Sequence, residues 1–184
     1  MQIIFLNGPP GCGKDHAATV LGGFRMKMAK ELKERTHAAC LLFDRNGRPR
    51  PHDFFEAVKD KPNALFGGST PRAAYIAMSE GFIKPIFGDS ALGMWLADSI
   101  SNMAHPANDF LITDSGFRGE AEEVVDRFGA PMCTLLRIHR AGYDYSNDSR
   151  GYIDLSDLGV RSADVDNLGD ESFLTNLKDV LSAT

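Results

Sequence analysis

The stretch "NGPPGCGKDHAA", residues 7–18, follows directly on the apolar run "IIFL". Gly8 to Lys14 fit Gly-x-x-x-x-Gly-Lys in full. The apolar run reads as a buried strand over residues 2–6, and the residues after Lys14 have helical spacing. A strand, a glycine-rich turn and a helix together make the context in which this motif cradles phosphate. The glycines let the backbone curl so that several N–H groups point inward, and the helix N-terminus adds partial positive charge. Lys14 supplies a mobile point charge for the β- and γ-phosphates. The cofactor-binding set drawn from this stretch is Gly8, Gly11, Cys12, Gly13, Lys14, Asp15 and His16. Asp15 is the departure, since Ser or Thr usually follows the lysine and ligates Mg²⁺. A carboxylate can hold that hard cation too, directly or through water. The same side chain also suits the positive end of a helix dipole.

Working outward, strands and helices alternate. The first helix is expected over roughly 14–35, with Ala17, Val20, Leu21, Phe24, Met28 and Leu32 recurring at three and four, although Gly22-Gly23 weakens its middle. "AACLLFD" predicts a second strand at about 38–43, "RNGRPRP" a loop and "HDFFEAVKDK" a helix, with residues 62–69 as loop. "STPRAAYIAMSEG" carries a helix start, with Thr70 as N-cap, Pro71 at the first position and Gly81 as the stop. "SALGMWLADSISNM" predicts another helix, "DFLITD" a strand ending at Asp114, and "GEAEEVVDRFG" a helix closed by Gly129. "CTLLRIH" and "ADVDN" predict the last two strands, and "ESFLTNLKDVL" the closing helix. The pattern implies an α/β fold: one domain over residues 1–184, with a five-stranded parallel sheet, helices on both faces and a small lid at about 141–158.

Composition narrows the class. The chain has 184 residues, enough for one domain with a proper core. Cys12, Cys40 and Cys133 are odd in number and form no Cys-x-x-Cys, which argues against a disulfide scaffold or a zinc site and fits a reducing cytoplasm. "IIFL" is too short for a signal peptide or a membrane span, so no membrane partner is expected. The net charge of −5 is uneven: residues 144–184 carry three basic and nine acidic side chains. That end is a poor nucleic-acid surface, but Arg45, Arg48 and Arg50 form a local basic loop. The five histidines are scattered and none has metal-ligand spacing.

Further residues fall where such a fold puts chemistry. Asp114 ends a strand, at the crevice where parallel sheets bind ligands, and is a candidate Mg²⁺ ligand together with Asp15. Arg72, in the first turn of its helix, suits an acceptor phosphate, and Arg118 is placed to take the same anion. Arg140, Arg150 and Arg161 lie in loops after later strands, and Arg150 sits in the polar stretch "YDYSNDSRGY" expected to fold as a lid. For each of these arginines a solvated surface position competes with the functional one.

Several of these stretches, in order, resemble one family. "GPPGCGKD" resembles the phosphate loop of the deoxynucleoside monophosphate kinases of tailed phages. "STPRAAYIAMSEG" with "FGDSALGMWLAD" is similar to that family's arginine-bearing acceptor helix and the tryptophan helix after it. "LITDSGFRGEAEEV" resembles its D-x-R-F-x-x-E-A segment, with a wider spacing between Asp114 and Arg118 than that pattern has. "LLRIHRAG" and "DVDNLGDESFLTNLKDVL" resemble its later strand, adenine loop and terminal helix. The resemblance implies ATP and Mg²⁺ as cofactors and a nucleotide as substrate. It implies Lys14, Asp15 and Asp114 as catalytic or metal-linked, Arg72 and Arg118 as acceptor ligands, and Arg140 and Asn167 beside the donor base. It also implies the host-cell cytoplasm as location, and a homodimer stays open.

Two alternatives accompany that expectation. Related phage kinases phosphorylate the hydroxyl of 5-hydroxymethyluracil in DNA, which would make modified DNA the partner. A hydroxyl acceptor wants a base; Asp44, at the end of the expected second strand, is the candidate, or otherwise a sugar contact. The other alternative is a nucleotide-binding module without transfer, which an intact Lys14 and Asp114 argue against.

Overall fold

The computed structural model describes every residue except 104, 106, 107, 147, 171 and 184, and leaves the side chains of 182 and 183 undescribed. Five strands run parallel in the order β2-β3-β1-β4-β5. They are β1 Ile3–Asn7, β2 Phe24–Met26, β3 Phe110–Ser115, β4 Cys133–His139 and β5 Arg161–Asp166. The helices are α1 Lys14–Leu21, α2 Ala29–Ala39, α3 Pro71–Met78, α4 Lys84–Phe87, α5 Ala91–Met103, α6 Arg118–Phe128 and α7 Ser172–Ala183. A five-residue π-helix, Ser79–Ile83, joins α3 to α4.

Strand periodicity divides the core in two. Ile3 and Phe5 of β1, Phe110 and Ile112 of β3, and Leu135 of β4 face one side, where they meet Leu96, Ile100, Val124 and Val125 of α5 and α6. Ile4, Leu6, Leu111, Leu136 and Ile138 face the other, against Ala17, Ala18, Phe173 and Leu177 of α1 and α7. With both faces covered, the strands are apolar almost throughout, as a buried parallel sheet requires. Gly93 brings α5 into backbone contact with Glu120, where any Cβ would overlap the Glu120 carbonyl. The lid segment contributes Ile153 and Leu155 to the first side, so its second half is core and not a free flap.

The count of five strands agrees with expectation, but the second strand is a different one. The helix expected over 14–35 stops at Leu21. Gly22 and Gly23 have φ of 73° and 91°, and the Gly23 backbone passes so close to the Asp109 carbonyl that a side chain would not fit. The chain then enters the sheet as β2 and leaves it as α2. Residues 38–43 are not a strand: α2 runs through Ala39, and only a single antiparallel bridge, Phe43 to Pro49, follows. In "HDFFEAVKDK" only Glu56–Val58 is helical, as one 3₁₀ turn. The 62–69 loop holds another, Ala64–Phe66. Thr70 caps α3 by accepting the Ala73 amide at 3.1 Å, as expected. Gly81 does not stop that helix, because the π-helix carries the chain past it and Gly88 ends the element instead. The closing helix begins at Ser172, and Glu171 lies outside the described residues.

His37 organises the arm that replaces the expected strand. Its Nδ1 bonds the Arg50 carbonyl at 2.7 Å and its Nε2 the Tyr75 hydroxyl at 2.8 Å. Phe55, Phe66 and Tyr75 pack around the ring. Burial holds its pKa below the ordinary histidine value. The neutral ring therefore stabilises the fold fully above about pH 6.5, and this contribution is lost as pH falls from there through the folded value. The stability difference between wild type and His37→Gln, measured by urea unfolding, should shrink as pH drops below about 6.5. A difference that stays constant with pH would remove His37 as the cause.

Candidate active site

The loop between β1 and α1 sits at the C-terminal edge of the central strand, where the sheet's neighbours diverge to β3 and β4. Gly11 and Gly13 have φ of 80° and 109°, which the tight curl needs. A Cβ on Gly8 would strike the Cys12 sulfur and the Ile138 carbonyl, so the loop lies flush on β4. Cys12 is fully buried and acts as the loop's packing foot. Lys14 Nζ turns back on the loop, donating to the Gly8 carbonyl and to the Pro9 carbonyl at 2.7 Å. Burial lowers the pKa of this ammonium. An anionic ligand would counter that shift while drawing the amine off its two carbonyls. Asp15 and His16 lie exposed in the first turn of α1, and His16 stacks on Phe173.

Beside the loop is a cavity of about 380 Å³ lined by His139, Arg140, Tyr143, Tyr152, Asp166 and Asn167. Asn167 donates to the Cys12 carbonyl at 2.8 Å and accepts the Gly169 amide at 2.9 Å, tying the end of β5 to the glycine-rich loop. Arg140 donates to the Gly11 carbonyl at 3.1 Å and lies over the Tyr143 ring, 4.7 Å from its centre. Tyr143 in turn lies against Gly11. The two residues expected beside the donor base thus share one aromatic cavity with the loop. His139 stacks on Tyr152 at 4.5 Å and bonds Asp164 at 2.6 Å, which fixes the back wall.

On the other side, Asn7 organises the lid. It is fully buried. Its Nδ2 donates to the Ser115 and Gly151 carbonyls at 2.8 and 2.9 Å, with the Tyr145 hydroxyl at 3.1 Å, and its Oδ1 accepts the Ile153 amide at 3.1 Å. One side chain therefore joins β1, β3 and the lid. Arg150 is laid across Gly116, whose missing side chain makes the room. Its guanidinium grips Asp148 with two bonds, at 2.9 and 2.5 Å, and this pairing raises its pKa while holding the Asp148 carboxyl down at about 2. The Arg150 charge is felt at Lys14, Asp114 and Glu120, so it stands at the centre of the cleft. Asn147, within the expected lid, lies outside the described residues.

The remaining expected residues fall as follows. Asp114 accepts the amides of Met28 and Ala29 at 2.7 and 3.2 Å, so its carboxylate anchors the N-terminus of α2. It is near the cleft, and each of its oxygens already accepts one of those amides. Arg72 pairs with Asp60 at 2.5 Å on the exposed start of α3, and its charge reaches Asp148 from across the cleft. Arg118 is consumed elsewhere. It holds Glu122 at 2.7 Å and Asp157 with two bonds at 2.9 and 2.7 Å, clamping the end of the lid segment to α6. Those partners occupy the guanidinium expected to meet the acceptor. Asp44 is at no strand end. It accepts the Asn46 and Arg48 amides in an exposed turn, and the Arg48 bond leads in keeping its pKa low. The position that suggested a base is therefore absent. Among the described residues no group of three metal-ligating side chains gathers.

Sequence reasoning passed over Asn7, Tyr143, Lys84, Asp148 and Glu120. Asn7 had a signal, an amide at the end of an apolar strand directly before the loop. Asp148 had a weaker one, two residues before Arg150. Glu120 had one as well, as the acid of the quoted E-A segment, whereas Lys84 is brought near it only by the fold.

No family model matches the chain, and no curated protein matches it. Among solved structures, a gluconokinase from Sinorhizobium meliloti 1021 is similar over 99% of this chain and 94% of its own, at 12% identity and a TM-score of 0.42. Likeness at that level carries no argument about activity.

Proposed function

We propose that this chain is an ATP-dependent phosphotransferase whose acceptor is a deoxynucleoside monophosphate. One arrangement carries the proposal: the lysine-bearing loop lies between an aromatic cavity bonded to it through Arg140 and Asn167, and a cleft walled by the cations Arg150 and Arg72. The cavity suits the base of a donor nucleotide, the loop its phosphates, and the cleft an anionic acceptor. Transfer between two phosphates is mostly positioning and charge stabilisation and needs no strong base. Lys14 would exchange its loop carbonyls for the β- and γ-phosphate oxygens. Arg150 would leave Asp148 for the moving phosphoryl group, and Arg72 would hold the acceptor phosphate. Mg²⁺, which takes one or two carboxylates plus substrate phosphates, fits Asp15 at the mouth of the loop, where it would neutralise phosphate charge. The closed turn around Asp44 favours a phosphate acceptor over the hydroxyl of 5-hydroxymethyluracil in DNA, since it leaves that residue no seat as a base.

A transfer screen with labelled ATP tests this, offering common deoxy- and ribonucleotides alongside 5-hydroxymethyluracil DNA. Labelled diphosphate products support the proposal; labelled DNA alone, or ATP hydrolysis with no transfer, defeats it. Arg72→Ala should raise the acceptor KM by about ten- to a hundredfold, in line with roughly 1.5–3 kcal/mol for hydrogen bonds to a charged group. ATP affinity should barely move. Weakened ATP binding with normal acceptor kinetics would put Arg72 on the wrong side of the loop.

A further inference from the structure

Glu120 is a buried acid that the arrangement above leaves unused. It lies in the first turn of α6 and is 3% exposed. No described donor bonds its carboxyl, in contrast to Asp114, which holds two amides. The charges around it come from every wall of the cleft: Asp114 from β3, Glu80 from the π-helix, Lys84 from α4 and Arg150 from the lid. On the α5 side the Glu120 backbone lies against Gly93, and the nearby Glu123 accepts from Ser90 at 2.6 Å. Neither of its oxygens is a sealed atom without a bond, so the carboxyl keeps an opening to solvent from an otherwise buried side chain, and such poor hydration costs stability unless a ligand bonds it. Asp114, Lys84 and Arg150 set it beside the wall of the cleft that Arg150 forms, the side from which an acceptor held by Arg150 would approach. The π-helix beside it is a second local oddity, since such insertions concentrate at functional sites. Here it carries Glu80, and α4 directly after it carries Lys84, which pairs with Glu80 at 2.6 Å and rests on the Phe117 ring.

We infer that Glu120 is a recognition residue for the acceptor nucleotide, its carboxyl bonding a neutral group that both donates and accepts, either a sugar hydroxyl or a ring amide of the base. This rests on the nucleotide-acceptor reading above. Burial, then Asp114, pushes the carboxyl up to about 8, so at neutral pH it carries a proton and offers one donor and one acceptor. In the ionised form it would be a second negative charge beside Asp114 and would lose the donor.

The experiment compares wild type, Glu120→Gln and Glu120→Ala, each checked for folding by thermal melting, with KM measured separately for ATP and for the acceptor. Glutamine keeps one donor and one acceptor. Its acceptor KM should stay within about threefold of wild type at pH 7, while alanine raises it about ten- to a hundredfold, as for other lost buried partners. ATP KM should change less than about twofold in both. From pH 7 to 9 the wild-type acceptor KM should rise by about tenfold as the proton leaves, and the glutamine variant should stay flat. Acceptors lacking the 3′-hydroxyl or the ring amide identify the group: the right analogue raises KM in wild type and adds nothing in Glu120→Ala. An unchanged acceptor KM in folded Glu120→Ala overturns the inference, as does a parallel rise for ATP, or two analogues that both remain additive. A collapse of kcat in Glu120→Gln at constant KM also overturns it, since that marks a proton-abstracting base. If wild type neither transfers to nor binds any nucleoside monophosphate by calorimetry, the reading underneath fails and takes this inference with it. An active wild type with an indifferent Glu120→Ala sinks the Glu120 assignment alone.

Discussion

Lys14→Ala is expected to abolish phosphoryl transfer, with a loss of at least about a hundredfold in kcat/KM, the scale for removing a preorganised charge from a transition state. The fold should survive. Lys14 makes no apolar contact that the two core clusters depend on, and its ammonium rests on two carbonyls that water can satisfy. Burial already disfavours its charge in the unliganded loop, so removing it should cost little stability and could raise the melting temperature slightly. A low-activity variant with an unchanged or higher melting point is therefore the expected pair of results. Two outcomes would end the kinase proposal: near-normal turnover in folded Lys14→Ala, or ATP binding by calorimetry that is the same with and without the lysine. Lys14→Arg adds a check on shape. The curled loop leaves a compact ammonium room to move between carbonyls and phosphates, whereas a planar guanidinium needs a wider seat. It should recover little of the activity.

What could be read from the sequence divides along the sheet. β1, β3 and β4 are apolar runs whose alternate residues feed two separate cores, and such runs announce themselves locally. The glycine-rich loop was legible because its glycines serve a local turn. Arg140 and Asn167, placed by the family resemblance, share one cavity beside that loop. β2 was not legible. It has three residues, two of them exposed, and it is held in the sheet by β3, 86 positions along the chain. Helical spacing ran through it because Phe24 and Met28 fit that period by coincidence, and Gly22-Gly23 was the only warning. That one misplacement moved the expected second strand onto residues 38–43 and, with it, put Asp44 at a strand end it does not occupy. The partners of Arg118 were hidden for a different reason. Its neighbourhood in sequence matches an acceptor arginine, but Asp157, 39 residues on, takes the guanidinium. Pairings at such separation leave no periodic trace.

Arg150→Ala should be the second large effect, lowering kcat by about a hundred- to a thousandfold, the range for losing one transition-state donor of roughly 2.7–4 kcal/mol. The argument starts from its surroundings. The guanidinium is two-thirds shielded or more, with 26% of the side chain exposed, and Gly116 beneath it has no side chain to lift it away. Its charge acts on Lys14 from the loop and on Asp114 from β3, which brackets the place where a phosphoryl group would pass from donor to acceptor. Asp148 holds that charge in the unliganded chain, and Arg72 reaches the same carboxylate from the arm. A phosphoryl group in flight has more oxygens and more charge than Asp148, so it outcompetes the carboxylate, and the arginine is strengthened in the transition state above the ground state. ATP binding should therefore change by only a few-fold, since Arg140, Asn167 and the loop itself carry it. Arg150→Lys should restore the charge without the two-bonded geometry and recover only part of the rate. Asp148→Asn supplies the opposite sign: freeing Arg150 from its carboxylate should leave kcat intact or raise it. Single-turnover rates separate these effects from product release. A fall in ATP affinity that accounts for the whole Arg150→Ala defect would place this arginine on the donor alone, and a lost rate in Asp148→Asn would make the carboxylate part of the active arrangement instead of a holding contact.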